Sequence, residues 1–321
     1  MVAKTAKHWR GIVAIFALGI GATASAEAAP PTPISACPYS IETPGNYVVT
    51  GNLTSTGTCI TIRGRNHALD LQGHTITGNG RGVGIVCLTD EEVLCNTNVV
   101  ANGTVTHFSA GVFLDGNYNT VANVTSQQNI GTPTPQDPAG GTGILVLGHV
   151  GNVITDSTAT HNAGIGISGD ESFPLATTVS NSQANNNGGH GIVEVFAVSN
   201  SAANNNTGLG IYNAVIVTGA TAKGNAGGGI AVFKIGENEP YYASVVNSNA
   251  SGNTGNGIES NGNVINSTAS NNANGAGIRL HCPASAYGNT AINNPGGNIS
   301  ATDNTCVLLD NKTVGQSKAF P

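Results

Sequence analysis

Charge is what this chain has least of: Asp, Glu, Lys and Arg make up 9% of its 321 residues, and only 11 are basic. Nucleic acid and anionic membrane surfaces are held by many Lys and Arg side chains, so both are excluded as partners. Good helix formers such as Leu, Lys, Glu and Gln are scarce, which excludes a helix-rich fold. Aromatic residues are few, and the single tryptophan is Trp9. That shortage counts against a long groove for a neutral polysaccharide, where sugars stack on Trp or Tyr. After residue 22 no apolar run is long enough to span a bilayer, so no membrane insertion is expected once the first segment is removed.

That first segment reads as a secretion signal. Lys4, Lys7 and Arg10 precede an apolar stretch from Gly11 to Ala22, and Ala24-Ser25-Ala26 offers a small-residue cleavage site. Residues 1–26 are therefore expected to be removed, and the protein to be secreted or periplasmic. The remaining chain, 27–321, holds 8 basic and 17 acidic residues, a formal net charge of −9. All six cysteines follow the signal. They form three sequence-local couples, Cys37 with Cys59, Cys87 with Cys95 and Cys282 with Cys306, and disulfides suit an exported chain. Proximity favours these pairs among the 15 connectivities that six cysteines allow.

What the chain has in abundance is a repeat. A Gly-Ile or Gly-Val step returns at Ile85, Val112, Ile144, Ile167, Ile192, Ile211, Ile230, Ile258 and Ile278. Between these steps the body also aligns: Val179 to Asn187 matches Val198 to Asn206, and the frame recurs to Asn272. One column is branched and apolar (Val121, Ile154, Val179, Val198, Val217, Val245, Val264), one is small (Ala159 to Ala269) and one is Asn (Asn129 to Asn272). Strands this short are unstable alone. Stacked coil upon coil they form parallel ladders about 4.8 Å apart, and the apolar columns fuse into one core. The shortest unit, 19 residues, is too small for a helical repeat. The Leu lattice of leucine-rich repeats is absent, and so are the fixed Asp positions of Gly-rich calcium repeats. The reading is all-β: a single-stranded right-handed parallel β-helix, a solenoid of about ten coils with disulfide-stapled ends. Residues 34–80 are assigned to an N-terminal cap and opening coils, 81–282 to regular coils, and 283–321 to a C-terminal cap.

The Asn/Gly-Ile coils resemble the repeat of the pectin-lyase-like superfamily. The stretch from Cys37 to Thr50, followed by Ala68-Leu-Asp-Leu-Gln-Gly-His-Thr-Ile-Thr-Gly78, is similar to the opening coils of secreted right-handed β-helix proteins. The resemblance covers essentially the whole chain after the signal. It implies a fold and not one activity, because the superfamily is similar to lyases, hydrolases, epimerases, adhesins and catalytically silent proteins alike.

Coils lengthen at 87–98, 132–141, 169–176 and 234–243, and three of these insertions follow the Gly-Ile strand. Loops on a rigid scaffold commonly carry function or are tolerated surface insertions. Charges cluster there too. Strand alternation points Asp115, Asp170, Tyr212, Glu259, Arg279 and His281 outward, and puts Glu194 at a corner. The insertions add Asp90, Glu91, Glu92, Glu171, Glu237 and Glu239. Asp170 and Glu194 are expected on adjacent coils, roughly 5 Å apart, and Asp115 and Asp170 roughly 10 Å apart. Such spacings suit glycoside hydrolysis by a carboxyl pair; a solvated acidic face is the alternative. Gly189-His190-Gly191 resembles a polygalacturonase segment, yet the same spacing is the local repeat itself, and a corner role for His190 is the plainer reading. The catalytic candidates are Asp170, Glu171, Glu194 and His190. The substrate-binding candidates are Asp115, Tyr212, Tyr241, Tyr242, Glu259 and Arg279.

The function expected is that of an exported carbohydrate-interacting protein whose partner is a polysaccharide or cell-surface glycan. If an enzyme, it is a polysaccharide lyase, an epimerase or a glycoside hydrolase. The competing class is a non-catalytic adhesin-like or matrix-binding module. No cofactor is required by the sequence, but a lyase or epimerase would use a cation such as Ca²⁺ to neutralise a sugar carboxylate, and acidic loops could hold it. No coiled coil for trimerisation is present, and a monomer is expected.

Overall fold

The computed structural model describes residues 29–89, 94–131, 140–170, 177–233 and 243–315. The segment expected to be a signal, 1–26, part of each insertion and residues 316–321 lie outside them. The described residues contain strands and turns and no helix, in sheets of 17, 12 and 5 strands. Among the described residues every strand pairing is parallel, and strands away from the ends pair with their equivalents in the preceding and following coils. The chain thus winds as a three-faced cylinder. Two faces merge where the eight-residue strands Val99–Thr106 and Thr120–Gln127 run round a corner and pair with both series.

Register turns the sequence columns into stacks. On the 12-stranded face, Ile60, Ile85, Val112, Ile144, Ile167, Ile192, Ile211, Ile230, Ile258, Ile278 and Ile299 pair in order. The second column runs from Val100 through Val121, Ile154, Val179, Val198, Val217 and Val245 to Val264. These side chains meet in one buried core. Burying each Ile or Val contributes about 1.5–3 kcal/mol, so the stack compensates strands of two to four residues that could not persist singly.

Among the described residues this face has twelve strands, three more than the nine Gly-Ile or Gly-Val steps. Two opening strands, Tyr39–Ile41 and Ile60–Ile62, and a last one, Ile299–Ala301, lack the Gly-Ile step. At the last, Asn298 stands where Gly is usual.

The Asn column is a hydrogen-bond ladder inside the cylinder. The Nδ2 of Asn162 donates to Oδ1 of Asn187 at 3.1 Å, Asn187 to Asn206 at 3.0 Å, and Asn206 to Asn225 at 3.0 Å. The series continues through Asn253 and Asn272 to Asn294 and Asn298. The second amide proton goes to a main-chain carbonyl, as from Asn206 to Ala184 at 2.9 Å. Full satisfaction is what lets so many amides be buried. The residue before each ladder Asn takes the left-handed conformation, as at Asn186 (φ 57°), Asn205 (55°) and Asn271 (55°), which Asn tolerates better than most. This explains the Asn-Asn doublets. The Gly before Ile has its own cause: a Cβ on Gly191 would lie 2.7 Å from the amide nitrogen of Asn206 and 2.5 Å from the carbonyl of Gly210.

All three expected disulfides form: Cys37–Cys59, Cys87–Cys95 and Cys282–Cys306. Thr32–Ile34 pairs with Tyr47–Val49 at the amino end. Past Cys282 the chain keeps coiling: Ser285–Tyr287, Thr290–Ile292 and Ile299–Ala301 extend the three faces, and Val307–Leu309 and Lys312–Val314 add final rungs.

Candidate functional site

On the Gly-Ile face, the residue after each Ile points away from the core. Register aligns Val193, Tyr212, Ala231, Glu259, Arg279 and Ser300 in one row. The polar side chains of this face gather into three groups, spaced along the cylinder.

The first group is Asp115 and Asp170. Asp115 ends the strand Ala110–Asp115 opposite Leu147 of the next coil. Asp170 follows Ile167–Ser168 and accepts a hydrogen bond from the Gly148 N–H at 3.3 Å. Burial pushes the Asp115 carboxyl above the usual aspartate value. A hydrogen bond from the Thr89 main chain opposes the rise, the Asp170 charge adds to it, and the His149 ring opposes it. The two carboxyls therefore sense each other across two coils, roughly 10 Å of ladder. His149 had no sequence signal, because it sits in an irregular corner after Gly148.

The second group is His190 and Tyr212, whose rings stack with centroids 5.2 Å apart and planes at 22°. The His190 Nδ1 accepts the Leu209 N–H of the next coil at 2.9 Å. In the neutral ring the proton then sits on Nε2. Burial holds this imidazole below the usual histidine range. Asn256, at the same place in its own coil, accepts the Ala276 N–H at 2.9 Å. His190 thus does at its corner what Asn256 does at another: it closes a main-chain donor of the following coil.

The third group is the most convergent. Glu259 and Arg279 are register partners on adjacent coils, with Arg279 Nε 3.8 Å from Glu259 Oε1. His281 Nε2 lies 2.6 Å from the same oxygen. Asn256 Nδ2 donates to Glu259 Oε2 at 2.8 Å. The Phe233 ring packs 5.9 Å from the His281 ring. Burial works to raise the Glu259 carboxyl, but the hydrogen bonds from His281 and Asn256 and the His281 and Arg279 charges outweigh it and hold it low. Asn256 and Phe233 carried no sequence signal, because Asn is the commonest corner residue and Phe233 borders an insertion.

Glu194 occupies a corner. Its φ of 58° turns the chain there, and Ser168 pairs with Val193, so register sets Glu194 opposite Gly169 rather than Asp170. Asn213 takes the same conformation one coil on (φ 53°). Glu171, Tyr241 and Tyr242, with Asp90, Glu91, Glu92, Glu237 and Glu239, lie outside the described residues. No group of three His, Cys, Asp or Glu side chains among the described residues is placed to hold a metal ion.

No family model matches the chain, and no curated protein matches it. Solved structures do. The A-module of mannuronan C-5 epimerase AlgE6 from Azotobacter vinelandii is 12% identical, with a TM-score of 0.47 and 88% of each chain covered. The Dettilon tailspike protein is 13% identical with a TM-score of 0.50; 87% of this chain covers 60% of that one. The catalytic unit of a GH87 α-1,3-glucanase from Streptomyces thermodiastaticus is 12% identical, TM-score 0.43, with 88% of this chain and 63% of that one covered. At such identity the likeness to the tailspike shows the fold alone, a right-handed parallel β-helix.

Proposed function

We propose that this is an exported protein that binds a glycan chain along its Gly-Ile face and hydrolyses it with Asp115 and Asp170. The observation that carries the reading is the geometry of this pair: two carboxyls on one outward face, about two coils apart, with the Asp115 carboxyl pushed up by burial. A carboxyl whose pKa burial raises is fitted to give a proton. Asp115 donates its proton to the glycosidic oxygen as that bond breaks. Asp170, fixed by the Gly148 N–H, takes the proton of the water that attacks the anomeric carbon. A spacing near two coils leaves room for that water, as inversion requires. Three disulfides support an oxidising, extracytoplasmic location. The outward row supports a glycan as partner, since Tyr212 and Arg279 offer a ring and a guanidinium along one line of the cylinder.

The test is turnover on a panel of neutral and acidic polysaccharides, with Ca²⁺ and with chelator. Hydrolysis with inversion, lost by about a hundredfold or more in Asp115→Asn and in Asp170→Asn, supports the assignment. Unsaturated products would indicate a lyase instead. Inactivity on every substrate, with binding retained in affinity electrophoresis, would sink the hydrolase and leave the non-catalytic matrix-binding module.

A further inference from the structure

Asp170 and Glu259 are separated by four rungs, roughly 19 Å of ladder, so the Glu259 group is a site of its own. Beside it opens a cleft of about 280 Å³ lined by Asn256, Asn274, Arg279, Ser300 and Thr302, among small residues. We propose that this cleft binds an oxyanion substituent, a carboxylate or a sulfate, carried by a sugar of the bound glycan; this rests on the glycan-binding reading of the face.

The case is made by how the charges around Glu259 are used. Its two oxygens are taken by His281 at 2.6 Å and Asn256 at 2.8 Å. Arg279 is left with a 3.8 Å approach to Glu259, longer than a hydrogen bond, and its side chain is 48% exposed. Glu259 thus steadies the guanidinium without consuming its donors. Arginine presents a planar fork of N–H groups that matches carboxylate and sulfate oxygens two at a time. The other lining side chains, Asn, Ser and Thr, carry donors suited to an anion and to the hydroxyls around it. The acidic groups of this face, Asp115, Asp170 and Glu259 itself, repel anions. An acidic sugar approaching this negatively charged protein is therefore directed to the Arg279 end.

The test is calorimetric titration of the full chain with four polymers: polygalacturonate, its carboxyl-reduced form, dextran sulfate and neutral dextran. Each acidic polymer is expected to bind at least tenfold tighter than its neutral counterpart. The acidic polymer that shows the larger ratio tells carboxylate from sulfate. Arg279→Gln removes the difference, and Arg279→Lys keeps part of it. Unchanged melting temperatures show that the variants fold. A second arm titrates inorganic sulfate into ¹⁵N-labelled protein and follows the His281 ring signals, which shift in the wild type and not in Arg279→Gln. Equal binding of acidic and neutral polymers, with no sulfate response, overturns the oxyanion site while leaving a glycan-binding face intact. A sulfate response that needs Arg279, with no binding of any polymer, sustains the site and overturns the glycan reading instead.

Discussion

The Asn206 side chain donates to Asn225 Oδ1 at 3.0 Å while its own Oδ1 accepts both the main-chain N–H and the Nδ2 of Asn187, each at 3.0 Å. One residue thus ties three coils together, inside the cylinder and out of reach of water. Asn206→Ala would strand the Asn187 donors and the Ala184 carbonyl, at about 1–3 kcal/mol for each group left unpaired. A loss of about 3 kcal/mol or more in denaturant unfolding is expected. Asn206→Asp places a carboxylate against two carbonyl acceptors, so it should be worse at pH 7 than at pH 3. A variant as stable as wild type would show the ladder to be decorative.

His190 is expected to support its corner rather than to take part in catalysis. His190→Ala should destabilise by about 1–2 kcal/mol through the orphaned Leu209 N–H. His190→Asn should recover most of that, since Asn256 does the same work for Ala276. Neither should reduce turnover per folded molecule. A large fall in kcat for His190→Asn with unchanged stability would give the ring a chemical role.

Glu194 holds a conformation that Asn adopts more readily. Glu194→Asn should therefore raise stability by a few tenths to about 1 kcal/mol, measured by melting at constant pH. Lower activity together with that gain would show that the strained Glu is kept for function.

Two carboxyls give opposite pH responses. Glu259 is held low in the folded protein, so its contribution is present above the ordinary glutamate value of 4.5 and is lost as pH falls through the folded value. Glu259→Gln should lower the melting temperature at pH 7 and converge with wild type in acid. Asp115 is raised, so its contribution is full below the ordinary aspartate value of 3.8 and is lost as pH rises through the folded value. Asp115→Asn should raise the melting temperature at pH 7 and leave it unchanged at pH 3, while abolishing hydrolysis. Parallel shifts for the two variants across pH would contradict this account.

Much of the fold was legible because a solenoid writes its contacts in the sequence. Val179 and Val198, nineteen positions apart, are register partners, and the same column predicts both. The candidate site was legible only in outline. The outward row was readable from alternation, and it holds Tyr212, Glu259 and Arg279. Which members meet was not readable, because coils differ in length and a left-handed corner residue shifts the facing of the residues after it. Glu194 was an exception: it stands two residues after Ile192 as Gly169 stands two after Ile167, so its corner place was already readable. Asn256 was invisible for another reason, since it carries the same letter as the ladder residues while pointing to a different task.

Among the described residues the stapled β-helix has twelve strands on its Gly-Ile face, and its three cysteine couples are joined. By itself the sequence determined the parallel stack, because equivalent residues one coil apart must superpose and only one register aligns Ile, Val, Ala and Asn at once. The tertiary structure alone decided the grouping of the charges. Side chains from different coils meet according to local coil length and corner geometry, which no repeat encodes, and so the acidic row resolved into an Asp115–Asp170 pair and a separate cluster in which His281 and Asn256 occupy Glu259 and leave Arg279 open to a ligand.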